Sequence, residues 1–411
     1  MSQISMQEVV PPAQGVKRVN IGFLNWAHAI DHYVLLIYPT VVIGLQAVYD
    51  RSYSDLIALS TAMFVAFGVF SLPFGWLADR ISRRDIMIGF YVGCGVSLCV
   101  AALAPNLIVL ASAMFMLGVC AAIYHPVGMA MLIEISQARG RTLAFNGVCG
   151  NLGVALAAAI SAALASWFGW SFAFGIPGII CIATGIAYWY LVPDERERGQ
   201  KRKGRAQVPV TGNNAIVMFA LYIVISICGG LTFNTLLIAL PKIVDERVGG
   251  GASLVEVGGI ATLVFLCGAI GQIIVGRLVE KFLPAMLFVI VVAMQVVGVV
   301  WAAYASGLML VMGLAFCMAG IYGQVTTGDI VIARYTADAW RGRIYAVRYF
   351  LTFISAGVAV QIIAYLHARG GFDLVLWTIA GFTVVLLLAV IGFASLVLSV
   401  EARHTAAQPA E

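Results

Sequence analysis

Ionisable side chains are scarce in the apolar stretches of this chain, so those that do occur carry the chemical argument. Asn25, His28, Asp31, His32 and Tyr38 lie in one such stretch. At helical spacing they fall within an arc of about 140°, a polar stripe on an otherwise apolar cylinder. His28 precedes Asp31 by three positions and His32 by four, so a carboxylate and two imidazoles share one face. Burial and a neighbouring imidazolium act in opposite senses on the Asp31 carboxyl, which makes the group a candidate proton carrier. A hydrogen-bonded seam that only orients the helix is a second reading. A divalent metal site is a third, because His at i and i+4 flanking a carboxylate can ligate a cation. No further ligand-rich segment stands out, so no resident metal and no cofactor is expected.

Two more groups join the candidates. His125 is followed by Pro126, whose missing N–H frees a main-chain carbonyl one turn earlier. Irregular backbone is tolerated at membrane depth where it lines protein or a wet cavity. His125 therefore reads as a cavity residue, with a satisfied packing histidine as the alternative. Arg348 sits about two turns into an apolar helix, and a cation there requires an anion. Its partner is either a substrate carboxylate or phosphonate, or Asp329. Asn151, Gln324, Asn234 and Gln361 are weaker pore candidates.

The elements that position these residues follow from composition. The chain has 411 residues, 62% hydrophobic and 10% charged, against roughly 25% charged in a soluble domain. Lipid cannot satisfy free backbone groups, so only helices or closed barrels span it, and long unbroken apolar runs without strand alternation exclude a barrel. Twelve helices are expected, at 21–47, 54–78, 86–104, 107–133, 141–167, 170–192, 214–241, 254–278, 285–305, 308–333, 342–367 and 373–399. Nineteen Lys and Arg fall in one set of alternate loops and tails and four in the other, which places both termini in the cytoplasm of a multi-pass protein. All eight Cys lie in apolar runs with no C-x-x-C pair, and read as packing residues.

The chain also repeats. Gly75 to Arg80 returns as Gly276 to Lys281, Arg139-Gly140-Arg141 as Arg341-Gly342-Arg343, Pro39 as Pro241, and Ser52 with Asp55 as Ser253 with Glu256, all offset by 201 or 202 positions. The last pair has the form of two helix-start caps, and the prolines are expected to close the first helix of each half. The fold class is therefore an all-α membrane protein with twelve transmembrane helices in two pseudo-symmetric six-helix bundles. The expected divisions are a tail at 1–20, a bundle at 21–192, a basic linker at 193–213, a second bundle at 214–400 and a tail at 401–411.

The loop Gly75-x-x-x-Asp79-Arg80-x-x-Arg83-Arg84 resembles the signature of the major facilitator superfamily of transporters, except that Ser82 stands where that family usually has Gly. The resemblance implies that Asp79 sits against the start of the eleventh helix and pairs with Arg83, which also reaches Glu134, latching an inner gate. Tyr124-His125-Pro126, Arg139-Gly140-Arg141, Phe145 and Gly150-Asn151-Leu152-Gly153 are similar to the fosmidomycin resistance branch, with its aromatic-His-Pro and its Gly-Asn-x-Gly turn. The fifth helix lacks the Gly-Pro often seen in drug antiporters.

Signatures of hydrolases, metalloproteases and nucleotide-binding enzymes are absent from the sequence. The expected function is secondary transport of a small polar or anionic molecule by alternating access, driven by protons and directed outward, as in drug or antimetabolite efflux. Proton-linked uptake of an organic anion or metabolite is the alternative, and a metal-binding sensor or intramembrane enzyme a more distant one. His28, Asp31, His32, Tyr38, His125, Asn151 and Arg348 form the expected substrate or coupling set, and Gly75, Asp79, Arg80, Arg83, Arg84 and Glu134 the gating motif. The expected partners are the substrate, protons and the lipid of a bacterial inner membrane. No nucleic acid is expected, and the protein is expected to act as a monomer.

Overall fold

The computed structural model describes residues 14–136, 139–194, 210, 212–248, 251–336 and 338–406. Most of the expected linker, the ends of both tails and the side chains of Arg139, Gly140, Arg341, Gly342 and Arg403 lie outside the described residues.

Among the described residues eleven helices are long and apolar enough to cross a membrane. They are α1 (Lys17–Tyr49), α2 (Tyr53–Leu77), α3 (Arg83–Ala102), α4 (Leu107–Ile135), α5 (Arg141–Phe168), α6 (Trp170–Leu191), α7 (Asn213–Arg247), α8 (Leu254–Leu278), α9 (Pro284–Tyr304), α10 (Gly307–Tyr335) and a final stretch, Arg343–Ala402. That last stretch has 60 residues, which as one straight rod would be about 90 Å long, against about 30 Å of hydrocarbon. It breaks at Gly370 and Gly371, where Gly371 adopts φ 57° and ψ −157°, backbone open to glycine and strained for other residues. The chain turns back there, giving α11 (343–369) and α12 (372–402) and twelve crossings. We call the side where α1 begins and α12 ends the linker face, and the opposite side the far face.

The first half packs α1 on α5 and α6, and α3 on α4 and α6; the second packs α7 on α11 or α12 and α9 on α10. Between halves, α5 lies on α8 and α2 on α11. The repeat has a structural counterpart in the caps: Ser52 Oγ accepts from the Asp55 N–H at 3.1 Å, and Ser253 Oγ from the Glu256 N–H at 3.3 Å. Each acid strengthens the positive end of its own helix.

Two expectations about helices are corrected. Pro39 and Pro241 do not close α1 and α7, which run on to Tyr49 and Arg247. Each proline strips one hydrogen bond from the carbonyl four residues earlier, but neighbouring helices bury both sites and keep the helix in register. The Gly150 to Gly153 run is not a turn but part of continuous α5. Its glycines serve close approach instead: a Cβ at Gly153 would collide with the Ala29 carbonyl, and one at Gly150 would sit 2.7 Å from the His28 ring.

Candidate functional site

Near mid-depth α1 meets α4, and α4 is irregular at the meeting point. Tyr124 to Gly128 form a π turn around Pro126, with its wider winding. Such insertions follow from a lost ladder hydrogen bond and recur at functional sites. The turn carries His125 toward α1, where its Nε2 lies 3.3 Å from Asp31 Oδ2. Asp31 is wholly buried, and neither of its oxygens has a hydrogen bond in good geometry. The imidazole faces it at ion-pair distance but off the hydrogen-bond line.

His28 is held from three sides. Its Nδ1 lies 2.8 Å from the Asn146 carbonyl and its ring stacks on Tyr124, with centroids 4.9 Å apart. A carbonyl only accepts, so Nδ1 carries the proton and Nε2 presents a lone pair. That lone pair lies 3.2 Å from His32 Nε2, which donates to it. The ring nitrogens of His28, His32 and His125 fall within 4.8 Å of one another. The structure thus joins what the sequence separated: the stripe on α1 and the histidine of α4 form one cluster.

Asn146 is the support that sequence reading missed. Fully buried on α5, it donates from Nδ2 to Asn25 Oδ1 at 3.0 Å and accepts on Oδ1 from the Tyr124 hydroxyl at 3.1 Å, while its own carbonyl fixes His28. One signal was available, since Asn146 occupies the repeat position of Arg348 at an offset of 202. Phe353 of α11 also went unnoticed. It packs on His125 with centroids 4.9 Å apart and on Phe67 of α2 at the same separation, so the second half contributes a wall to a cluster held by the first.

The remaining candidates lie elsewhere. Tyr38 is buried and donates to the Leu56 carbonyl at 2.6 Å, tying α1 to α2 away from the cluster. Asn151 donates to Gln272 of α8 and so joins the two halves. Gln361 spans them likewise, to Thr61 at 2.6 Å. Gln324 pairs with Gln295, and Asn234 is bound to the carbonyls of Gly230 and Thr352. Arg348 forms an ion pair with Asp329, as one of the two sequence readings anticipated. Tyr222 and Tyr345 brace that pair through the carbonyls of Gly328 and Asp329.

At the linker face Arg83 pairs with Glu134 at 2.7 Å and lies 3.6 Å from Asp79. Arg80 lies over the Trp76 ring, 3.7 Å from its centroid, and Arg84 donates to the carbonyls of Val192 and Trp189. Gly75 approaches Pro126 of α4. Ser82, the departure from the family pattern, caps α3 through the Asp85 N–H and donates to Asp194 at 2.7 Å. Asp79 is 58% exposed and makes its ion pair inside its own half. The expected seat on the start of the eleventh helix involves residues partly outside the described ones.

Every hydrogen bond and ring contact joining the halves among the described residues lies between the far face and the level of Asn151 and Gln272. Toward the far face these include Thr262 Oγ1 donating to the Ala155 carbonyl at 2.6 Å and Ser54 meeting His367 at 3.0 Å. Toward the linker face Tyr349, one turn below Phe353, is 42% exposed. Among the described residues the contacts between the halves thus concentrate on the far side.

A family profile described as Major Facilitator Superfamily matches residues 21–328. A search of curated protein sequences gave no match. Among solved structures, a bacterial homolog of the human lysosomal transporter Spinster is similar in its inward-facing, occupied conformation, with TM-score 0.72 and 13% identity over 95% of this chain and 96% of that one. Its unoccupied inward-facing form gives TM-score 0.70, also at 13% identity, over 95% and 96%. The POT family transporter PepTSo gives TM-score 0.70 at 11% identity over 93% of this chain and 98% of that one. At such identities the likeness shows the fold.

Proposed function

Because the chain belongs to the major facilitator superfamily, a family of transporters rather than enzymes, we propose that it moves a small polar or anionic molecule outward across a bacterial inner membrane in exchange for protons. The observation that carries this reading is Asp31, a wholly buried carboxyl whose nearest titratable partner is the imidazole of His125. A permanent charge there costs several kcal/mol, so a carboxyl that gains and loses a proton as the site changes its access has a physical reason to sit at that depth.

In this reading the linker face is cytoplasmic, following the Lys and Arg bias, and the substrate enters the space below Phe353. Arg348 offers the anion a charge-assisted contact in competition with Asp329. Tyr349 and Phe353 lie with their ring centroids 5.8 Å apart and lead from that pair to His125, so substrate and proton sites share one aromatic wall. Export is carried over from the likeness of Tyr124-His125-Pro126 and its neighbours to the resistance branch. Arg83 and Glu134 tie the linker ends of α3 and α4 together, so that this half moves as a unit.

Counterflow in proteoliposomes with an imposed pH gradient tests the reading. A gradient that drives flux in wild type but not in Asp31→Asn, with exchange at equal pH retained, is the expected result. Flux indifferent to the gradient in both proteins removes the coupling, and whole-cell accumulation in place of depletion reverses the direction.

A further inference from the structure

A metal site at His28, Asp31 and His32 lacked a fourth ligand in the sequence, and the fold supplies it. His125 arrives from α4 and brings its Nε2 against Asp31. We infer that His28, His32, His125 and Asp31 form a binding site for one divalent transition ion of borderline softness, such as zinc or cobalt. The site lies in the same cluster as the proposed proton carrier, so the inference deepens that reading, yet metal binding is measured without transport.

Three observations carry it. The first is the donor set: three imidazole nitrogens within 4.8 Å of one another, with a carboxylate oxygen 3.3 Å from one of them. Ligands about 2.1 Å from a tetrahedral ion lie about 3.4 Å apart. Two pairs already meet that spacing, the nitrogens of His28 and His32 at 3.2 Å and the Asp31 and His125 pair. Small rotations of the remaining rings close the set.

The second is the outer support. A metal-binding histidine usually donates its other ring N–H to a carbonyl or carboxylate, which fixes the tautomer and aims the ring. His28 does so through Nδ1 to the Asn146 carbonyl. The stacked Tyr124 ring and the absence of a Cβ at Gly150 hold the imidazole in that pose.

The third is what the cluster lacks. Asp31 Oδ1 and Oδ2 and His125 Nε2 are buried and have no hydrogen-bond partner in good geometry. Buried polar atoms are nearly always satisfied, and each exception needs a reason. An ion at the centre satisfies all three together. Three nitrogens and one oxygen suit zinc, cobalt or nickel better than magnesium or calcium, which prefer oxygen shells. On binding, His32 shifts its proton from Nε2 to Nδ1 and Asp31 binds as the carboxylate, so an ion and a coupling proton compete for the same atoms. All four ligands belong to α1 and α4, and the ion therefore rides with the first half when the halves move.

The experiment uses the full chain, purified without a polyhistidine tag and stripped with chelator, then titrated with Co2+ while its visible ligand-field absorption is followed. Saturation near one ion per chain with the intense bands of tetrahedral cobalt is expected, together with at least a tenfold weakening in His125→Ala and in His32→Ala. His367→Ala, at the far face, should bind as wild type does. Each variant is checked for a monodisperse elution profile, and Tyr124→Phe, which keeps all four ligands, should retain the absorption bands if the fold is intact. No saturable binding, octahedral cobalt bands, or undiminished binding in His125→Ala overturns the inference. A gradient-driven flux that survives such a negative leaves the proton reading standing, and cobalt binding in a protein with no gradient-driven flux does the reverse.

Discussion

His125 and Asp31 are separated by most of the first half of the chain, yet their side chains meet at 3.3 Å inside the helix bundle. The meeting depends on the π turn at Tyr124 to Gly128, which turns the histidine toward α1. Two buried groups in such contact act as one unit, and their deletions should not add. Asp31→Asn and His125→Ala are each expected to lower gradient-driven counterflow at least tenfold while leaving a measurable rate, and the double variant to be no worse than either. Additive losses in a double-mutant cycle would separate the two residues.

Arg348 already has an anion in Asp329. A substrate carboxylate or phosphonate must therefore compete for it, and Arg348→Gln should weaken anionic substrates about tenfold or more, the size of one charge-assisted hydrogen bond, while sparing neutral ones. Competition curves with matched charged and uncharged compounds decide the matter. An equal loss for both would reduce Arg348 to a brace between α10 and α11.

Closure of the far side relies on backbones that touch. A Cβ at Gly258 of α8 would stand 2.7 Å from the Ala158 carbonyl of α5. Gly258→Val should push the halves apart on that side and shift the population toward the opposite opening. Spin labels at Arg51, in a far-face loop of the first half, and at Asp373, at the far-face start of α12, should report a longer distance in the variant. An unchanged distance distribution would show that the contact does not hold the closed state.

Arg83 binds the Ala78 carbonyl, Asp79 and Glu134 from a half-buried position. Its removal should cost about 1 kcal/mol, between the values for exposed and buried pairs. Arg83→Ala and Glu134→Gln are each expected to lower the thermal midpoint in detergent and to slow counterflow, without altering its dependence on the gradient.

Tyr38 lies on the polar stripe of α1 but spends its hydroxyl on Leu56. Tyr38→Phe should cost about 1 kcal/mol in stability and leave the pH dependence of transport as it is. A displaced pH profile would return Tyr38 to the coupling group.

The sequence was most readable where a rule is local. Helix number followed from the length of apolar runs, and the caps at Ser52 and Ser253 from residue type and spacing, because both depend on neighbours along the chain. The reading of Pro39 and Pro241 as closing residues failed for the opposite reason, and only the expected end at Pro241 fell short: packing from other helices carries α1 and α7 past a residue that would end a helix in water. The candidate site was legible by halves. Periodicity found His28, Asp31 and His32, and the Pro126 break drew attention to His125, but nothing in a linear pattern says that α1 and α4 cross at those positions. Asn146 was invisible because a buried amide in an apolar run looks like any other, and its role rests on a main-chain carbonyl that no residue type encodes. Phe353 needed the other half to be in place.

A π turn contains one residue more than an ordinary helical turn. That surplus in α4 is a phase offset of about 100° between the residues on its two sides. Trimming a single residue near Val127 would return the rod to even winding while rotating its far-side half relative to its linker-side half. Either the imidazole would swing away from the aspartate, or Arg83 would lose Glu134. The buried aspartate and the charged loop at the linker face are thus geared to each other through one irregular winding, and a chain without it could keep only one of them in place.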